Sequence, residues 1–171
     1  MILLDLLDAN TLITANRDYY PLDQVPEFWA WLKHHGESGR VKIPREIMDE
    51  VKAGRRENDS LIDWITQANV ETALVLEETV DVELVRYVID LGYGTNLTDV
   101  ELEIIGKDPF LIAYALAKPA ERGVVTVEVS RPSAQRQNRR IPDVCKDVGV
   151  QCCGPFAMNK RLGFKTGWNR Q

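Results

Sequence analysis

The sequence lacks several features that would assign it to a protein class at once. No apolar run reaches the roughly 18 residues of a membrane-spanning helix, and the N-terminus has neither the basic region nor the cleavage site of a signal peptide. We therefore expect a cytoplasmic protein. Only three cysteines are present, and the adjacent Cys152 and Cys153 are poorly spaced for zinc. Their odd number favours reduced thiols, and the 171 residues predict a single domain, 1–171.

Positive charge is also scarce, because the formal net charge is −5 at pH 7. The charge is unevenly distributed along the chain. Residues 130–171 carry nine Lys or Arg against Asp143 and Asp147, a balance of +7, whereas the first 129 residues carry −12. This asymmetry is compatible with an anionic partner near the C-terminal part, although a solvated basic tail explains the charge alone better.

Short apolar segments alternate with amphipathic ones along the chain. Strand-like segments lie near 2–7, 40–43, 124–129 and 148–152, with helical patterns between them. The stretch VETALVL, residues 70–76, is compatible with a strand or with the end of a helix. The alternation predicts an α/β fold with a central, mostly parallel sheet that helices cover on both faces.

Acidic residues come where these predicted elements begin or end. Asp8 follows the first apolar strand, Asp108 stands at a helix start, and Glu128 ends the strand-like segment GVVTVE. Glu128 comes two residues after Thr126, which predicts that both lie on one strand face. A further acid, Glu50, lies within a predicted helix. Because ligands of open parallel sheets bind at the carboxyl ends of the strands, these acids are candidates for one site.

Each acid also has a structural explanation. Asp108 fits a helix N-cap, Glu50 a solvated helix residue, and Glu128 an exposed acid at a strand end. Asp8 is harder to explain in this way, because burying a carboxylate without a partner is unfavourable. A carboxylate cluster without His or Cys suits Mg²⁺ or Mn²⁺, which would relieve the repulsion among the acids. The residues therefore predict a hard-cation site that includes Asp8.

Three neighbouring aromatic residues on one predicted helix raise a separate question. Phe28, Trp29 and Trp31 are too closely spaced to share one helix face. One or more of them is therefore a candidate for an interface, beside the alternative that all pack in the core.

Four segments, in order, resemble the PIN domain, the nuclease fold of VapC-type toxins: LLDANTLI, IMDEVKAG, DPFLIAYALA and VVTVE. That family begins with a strand ending in Asp, continues with a helix that carries Glu, has an Asp that opens a helix, and ends with a strand T-x-D or T-x-E. The segments RDYYPLDQVPEFWAWL and IPDVCKDVGV resemble a PIN-like branch known as a domain of unknown function and associated with toxin–antitoxin-like gene pairs. The resemblance implies a three-layer α/β/α sandwich.

The resemblance also implies a set of site residues. Glu128 departs from it, since many PIN domains have Asp at that position. Asp5 could compete with Asp8, but strand alternation puts the two on opposite faces and only Asp8 precedes the Ala-Asn-Thr turn. Glu46 shares a helix face with Glu50 and is an alternative to it. The metal-binding and catalytic acids that the resemblance implies are Asp8, Glu50, Asp108 and Glu128, with Asn10 and Thr126 in support.

The function that the resemblance implies is a divalent-metal-dependent ribonuclease with Mg²⁺ or Mn²⁺ as cofactor, RNA as substrate, an antitoxin protein as partner and a tendency to dimerise. The alternative is a catalytically inactive PIN-like module that binds a protein or RNA, although a degraded site would have lost some of the acids. A doubly wound phosphatase is disfavoured because it needs D-x-D where this chain has D-A-N. We expect four arginines to contact the RNA backbone: Arg131, Arg136, Arg139 and Arg140.

Overall fold

Strands and helices alternate along the part of the chain that the computed structural model describes, residues 3–54 and 59–170. Five strands in these ranges form one sheet, and every neighbouring pair is parallel. The predicted α/β sandwich is thus confirmed; residue 2 of the first predicted strand lies outside the described residues. The strands are β1 (Leu4–Leu7), β2 (Val41–Pro44), β3 (Val75–Leu76), β4 (Arg122–Val125) and β5 (Gln151–Cys153).

The strand order β3-β2-β1-β4-β5 places β1 at the centre of the sheet. From β1 the chain builds outward to β2 and β3, and it then crosses to the other side of β1 to form β4 and β5. The order therefore reverses between β1 and β4. In open parallel sheets a ligand crevice forms at the carboxyl ends of such a pair, which here are Leu7 and Val125.

Helices cover both faces of the sheet. The described part of the chain contains α1 (Ala9–Thr14), α2 (Pro26–Glu37), α3 (Arg45–Ala53), α4 (Ser60–Ile65), α5 (Ala68–Leu74), α6 (Val82–Val88), α7 (Asp99–Ile105), α8 (Asp108–Leu116), α9 (Ile141–Val148) and α10 (Pro155–Arg161). α2 and α5 pack against β2 in one layer, while α8 contacts β1, β2 and β4 and α9 contacts β5 in the other. Right-handed crossovers account for this division, because the chain advances across the sheet in opposite directions in its two halves.

The helices differ in regularity and in length. α1 and α6 each continue into a π-helical turn, over Ala15–Tyr19 and Ile89–Tyr93, and a 3₁₀ turn covers Arg136–Asn138. None of the helices in residues 3–54 and 59–170 combines the length and hydropathy that crossing a bilayer requires.

The three aromatic residues of α2 are all buried, so none of them is available to line an interface. Phe28, Trp29 and Trp31 are each less than 5% exposed. The reason is that α2 lies between the sheet and the C-terminal segment, whose Phe164 packs 5.3 Å from the Phe28 ring and 5.0 Å from the Trp31 ring. All three side chains therefore pack in the core, on two sides of α2.

The observed strand bounds differ from the predicted ones, and most of all at β4 and at β5, which begins only at Gln151 because Val148 still belongs to α9. β4 ends at Val125, so Thr126 and Glu128 lie in the following loop and do not share a strand face. The sheet pairing extends only to the backbone N–H of Thr126, which donates to the carbonyl of Cys153 at 3.1 Å. For the stretch 70–76 the sequence allows a strand or the end of a helix, and both are present: α5 ends at Leu74 and β3 follows at once.

The acid that competes with Asp8 in sequence has another partner in the fold. Asp5, in β1, is fully buried, and the Arg161 guanidinium of α10 donates to its Oδ1. Burial raises the pKa of Asp5, and the hydrogen bond from Arg161 opposes that effect. The pair ties the last helix to the central strand. Asp5 therefore has a structural partner, and Asp8 remains the candidate for the site.

Removing Arg161 should destabilise the fold, because the buried Asp5 carboxylate would lose its charged partner. We expect Arg161→Ala to lower the free energy of unfolding by about 2 kcal/mol, less than for a fully buried pair because the guanidinium is partly exposed. Urea denaturation measures this difference. Arg17→Ala, which breaks the exposed Arg17–Asp18 pair, is the matched control and should change little.

Adding Asp5→Asn to Arg161→Ala should recover part of the loss, since no buried charge then remains unpaired. Equal, small effects of Arg161→Ala and Arg17→Ala would contradict a stabilising role of the Asp5–Arg161 pair.

Candidate active site

The carboxyl end of β1 positions the first candidate acid, Asp8. Its backbone N–H donates to the carbonyl of Val125 at 3.0 Å, which ties the end of β1 to the end of β4. The side chain is 2% exposed, and Thr126 Oγ1 donates to Asp8 Oδ2 at 3.0 Å. The hydrogen bond from Thr126 therefore orients the Asp8 carboxylate at the point where the strand order reverses.

Asp108 is the first residue of α8, the helix that packs against β1, β2 and β4. Lys107 occupies the N-cap position, so the N-cap explanation does not account for Asp108. Burial, together with the charges of Asp8, Glu128 and Glu50, raises the pKa of Asp108 to about 8. Charges act on one another in this way only when they lie close together, so α8 brings Asp108 to the same region as Asp8.

The electrostatic effect on Asp8 has the same origin. Burial raises the pKa of Asp8 to about 6; the hydrogen bond from Thr126 opposes this, and the charges of Glu128 and Glu50 add to it. The structure thus places four carboxylates, from separate elements, within electrostatic range at one edge of the sheet. Their function as a ligand set remains a prediction.

Glu128 lies in the loop after β4 and is held there by three contacts. Its Oε2 accepts from the backbone N–H of Ile141 at 2.7 Å, at the start of α9, and Arg140 lies 3.5 Å from its Oε1. Its own N–H donates to Thr126 Oγ1 at 3.1 Å. Thr126 therefore connects two acids, because the same hydroxyl group accepts from the backbone of Glu128 and donates to Asp8.

The helix α3 contributes Glu50 at the edge of the group. Most of the Glu50 side chain is exposed to solvent. The protein atoms around its carboxyl group still exclude part of the water and raise its pKa, and the positive charge of Lys107 opposes that rise. Glu46, the alternative on the same helix face, lies elsewhere: Tyr114 Oη donates to its Oε1 at 3.4 Å, and it lines a separate cavity with Glu78. The structure therefore associates Glu50, and not Glu46, with Asp8 and Asp108.

The donor chemistry of this group suits a hard divalent cation. The buried Asp8 and the half-buried Asp108 both have raised pKa values and repel each other, and a cation between them would remove that repulsion. In residues 3–54 and 59–170, however, no three His, Cys, Asp or Glu side chains are already close enough to hold a metal. The carboxylate of Glu128 is instead engaged by Arg140 and by the backbone N–H of Ile141. The set fits Mg²⁺ or Mn²⁺ in charge and ligand type, with Asp8 and Asp108 as the fixed members.

A cleft of about 510 Å³ opens beside Asp108 and Glu128. The loop of residues 131–140 forms much of its wall, with Ser, Gln, Asn and Arg side chains. The polar, basic character that the sequence predicts for this loop is therefore found next to the acids. A cleft with an acidic floor and a basic wall can accept a phosphate group and hold it near a cation.

The four arginines of this loop differ in their contacts. Arg136 donates to Glu101, with 2.8 Å between Nη2 and Oε2, and this pair holds the pKa of Glu101 at about 2. Arg139 donates to the carbonyl of Gly92 at 2.6 Å and pairs with Asp147 at 2.7 Å. These two arginines anchor the loop.

Arg131 and Arg140 remain at the surface of the cleft. Both are exposed and line it. The Arg131 guanidinium has no ion pair within the described residues, and Arg140 pairs only loosely, at 3.5 Å, with Glu128. These two side chains are therefore the ones available to meet an anionic ligand.

Sequence reasoning missed Tyr93, which ends the π-helical turn after α6. It is 3% exposed, and within the described residues its hydroxyl has no hydrogen-bond partner. Burial, followed by the charges of Asp108 and Glu128, raises its pKa well above the usual value. A buried hydroxyl beside two carboxylates is a candidate donor to them. The only signal in the sequence is the short Gly-Tyr-Gly stretch between two amphipathic segments, which is too common to be specific.

The structure is that of an α/β protein with four carboxylates gathered at the switch point of a parallel sheet. The model of a protein family, the domain of unknown function DUF4411, matches residues 6–166, and the chain belongs to this family. No curated protein matches the sequence.

The raised pKa values predict how the stability of the metal-free protein depends on pH. Asp8 and Asp108 ionise near pH 4 in the unfolded chain but near pH 6 and 8 in the folded one. Between pH 4 and 8 these two carboxyl groups therefore bind more protons in the folded chain, so their contribution to stability falls as the pH rises. His35, whose pKa burial lowers to about 4, acts in the opposite direction below about pH 6.5 and does so equally in the wild type and in Asp108→Asn. In EDTA at pH 8, Asp108→Asn should raise the melting temperature above that of the wild type, with little difference at pH 4.

Asp63→Asn, at an exposed position on α4, is the matched control and should leave the pH profile unchanged. If the melting curves of the wild type and Asp108→Asn run parallel from pH 4 to 8, the electrostatic repulsion inferred for this site is absent.

Proposed function

We propose that this protein is a divalent-metal-dependent endoribonuclease of the PIN-like type, which hydrolyses phosphodiester bonds of RNA with Mg²⁺ or Mn²⁺ as cofactor. The observation that carries the proposal is the pair of aspartates at the switch point of the sheet, the buried Asp8 and the half-buried Asp108, whose charges repel each other. Glu50 and Glu128 lie within electrostatic range of both. The resemblance of the ordered motifs to PIN domains supports the same conclusion.

The side chains of the protein have distinct parts in this proposal. Asp8 and Asp108 would hold the cation, and Thr126 keeps the Asp8 carboxylate in one orientation. A bound cation would supply activation of water for attack on the phosphate and neutralisation of the charge that develops there. Arg131 and Arg140 would bind the phosphates of the substrate along the cleft. A His general base is not required.

A catalytically inactive binding module is the second candidate function. One observation favours it: Glu128 is engaged by the start of α9 and by Arg140, and within the described residues no metal-binding group is preformed. Against it stands the presence of all four acids, which a binding module would not need. Metal binding and cleavage distinguish the two.

Cellular context and partners complete the proposal. On the resemblance to VapC-type toxins, we place the protein in the cytoplasm as the toxin-like member of a toxin–antitoxin pair, restrained by an antitoxin protein and able to form a homodimer. The three free cysteines agree with a reducing compartment. Val100 and Ile104 on α7, 65% and 57% exposed, belong to an apolar surface that a protein partner could cover.

The cleavage reaction tests the proposal directly. Purified protein with single-stranded RNA and Mn²⁺ should produce fragments, and Asp8→Asn and Asp108→Asn should each reduce the rate by at least about a hundredfold, since each removes a charge from the cation site. Asp63→Asn is the control at an exposed position and should cleave like the wild type. Cleavage that survives both site changes would reveal a contaminant or another site.

Calorimetric titration with Mn²⁺ separates the two candidate functions. The nuclease proposal expects binding by the wild type and its loss in Asp108→Asn. A wild type that binds RNA but neither binds Mn²⁺ nor cleaves would be the inactive module.

The role of the two surface arginines is tested by the salt dependence of RNA binding. Each phosphate contact on a single strand contributes about 0.7 to the slope of log K against log salt concentration. Arg131→Ala and Arg140→Ala should each flatten this slope by about that amount in EDTA. Arg86→Ala, on α6 and also exposed, should not. An unchanged slope in the two loop variants would remove these residues from the RNA-binding surface.

A further inference from the structure

The backbone around Tyr93 has an unusual and well-defined conformation. Tyr93 is the last residue of the π-helical turn Ile89–Tyr93, and the N–H of Gly94 closes this turn by donating to the carbonyl of Ile89 at 2.9 Å. Gly94 has a φ of +133°, a conformation that favours glycine. π-helical turns are rare, and they often occur at functional sites. The turn therefore fixes the point from which the Tyr93 side chain extends.

The same turn packs closely against α9 and the loop before it. A Cβ atom on Gly92 would lie 2.4 Å from Cγ1 of Val144, so the close approach depends on glycine. The carbonyl of Gly92 also accepts from Arg139 at 2.6 Å. The start of α9 in turn binds the Glu128 carboxylate through the N–H of Ile141. The turn is therefore attached to the loop that borders the acids.

The hydroxyl group of Tyr93 is a buried donor that has no acceptor. The residue is 3% exposed, and its Oη has no partner among residues 3–54 and 59–170. Burial has the largest effect on its pKa, and the charges of Asp108 and then of Glu128 raise that pKa further. The wall of the basic cleft, as far as the structure describes it, does not include Tyr93. The hydroxyl thus lies near the carboxylates, and a substrate in the cleft does not reach it.

Asp108 is the neighbouring acid that lacks a donor. Asp8 accepts from the hydroxyl of Thr126, and Glu128 accepts from the start of α9. Burial and the nearby acids raise the pKa of Asp108, and no hydrogen bond from the described part of the chain opposes that rise. An unused buried donor and a carboxylate without a donor are therefore neighbours. Because buried hydroxyl groups are nearly always hydrogen-bonded, the two groups are complementary.

We propose that Tyr93 is a positioning residue whose hydroxyl donates to the Asp108 carboxylate and holds it in the orientation that binds a divalent cation. Thr126 already donates to Asp8 in this way, so each of the two aspartates would have one hydroxyl donor. Donors behind the ligands of metal sites commonly fix the orientation of those ligands. The inference rests on the proposed function for the cation, but it concerns binding and not cleavage.

The contact depends on the ionisation of Asp108. Within the described residues Tyr93 Oη is still unpaired, so the two groups are not yet bonded. Asp108 is ionised when it binds a cation, and an ionised carboxylate is a stronger acceptor than a protonated one. The half-buried Asp108 side chain can then turn toward the hydroxyl, whose own position is fixed by the turn.

Calorimetric titration with Mn²⁺ tests the role of the hydroxyl. Tyr93→Phe removes only this group and keeps the ring, and at pH 7 it should weaken Mn²⁺ affinity at least about tenfold. Tyr114→Phe is the matched control. Tyr114 is also 3% exposed and lies on α8 with Asp108, but its hydroxyl donates to the carbonyl of Glu78 at 3.1 Å. This variant should bind Mn²⁺ like the wild type.

A double-mutant cycle in EDTA tests the contact without a metal. At pH 9, where Asp108 is mostly ionised, Tyr93→Phe should lower the urea midpoint by about 1 M in the wild-type background. In the Asp108→Ala background the acceptor is gone, so the same change should have little effect. Equal effects in both backgrounds would overturn the inference, since the hydroxyl then has another partner, such as a buried water.

The outcomes separate this inference from the proposed catalysis. Weaker Mn²⁺ binding by Tyr93→Phe, together with no RNA cleavage by the wild type, would reject the nuclease and leave the positioning role standing. Cleavage by the wild type with unchanged Mn²⁺ affinity in Tyr93→Phe would reject the positioning role, as would an equal loss of affinity in Tyr114→Phe. A wild type that binds no Mn²⁺ would reject both, and the cycle in EDTA would then show whether Tyr93 and Asp108 are bonded at all.

Discussion

The structure depends on one electrostatic constraint: a buried aspartate, Asp8, and a half-buried one, Asp108, lie within electrostatic range of each other where the strand order of the sheet reverses. Asp8 cannot move away, because the backbone at the end of β1 is bound to β4 and Thr126 holds the carboxylate. Asp108 is fixed by the packing of α8. Such a pair is tolerated only if one carboxyl group is protonated or if a cation lies nearby. The surrounding loop and helices supply the positive charge and the hydrogen bonds that compensate these carboxylates.

Glu128 shows how the protein compensates the remaining charge. The positive end of α9 and the guanidinium of Arg140 hold its carboxylate, which limits the number of negative charges that face Asp8 and Asp108. Arg136 and Arg139 anchor the loop through Glu101 and Asp147. A divalent cation would compete with Arg140 for Glu128 and leave that arginine for an anionic substrate. Charge balance thus links the acids to the basic cleft.

The sequence predicts those parts of the fold and site whose signals are local. β1 could be found because it lies in an apolar run that only Asp5 interrupts, and β2 because apolar Val41 and Ile43 flank Lys42 in an alternating pattern. Asp8 and Asp108 could be found because they stand at the ends of such elements. β3 could not be assigned firmly because its two residues are too few for a periodic pattern. The end of β4 was predicted too late because β-forming residues continue past Val125, where the chain leaves the sheet.

Contacts between distant parts of the chain could not be found in the sequence. The Asp5–Arg161 and Tyr20–Asn159 contacts each join residues more than 130 positions apart. Arg136, which the sequence predicts to contact RNA, instead pairs with Glu101 and anchors the loop. No local pattern marks such pairs. The fold also explains why a small apolar cavity, whose wall includes Leu7 and Tyr20, lies beside the acids. In β1 successive side chains point to opposite faces, so Leu7 contributes to the cavity and the next residue, Asp8, to the carboxylate group. One strand end therefore positions both the cavity wall and the first of the acids, and any shift of β1 against β4 would move both together.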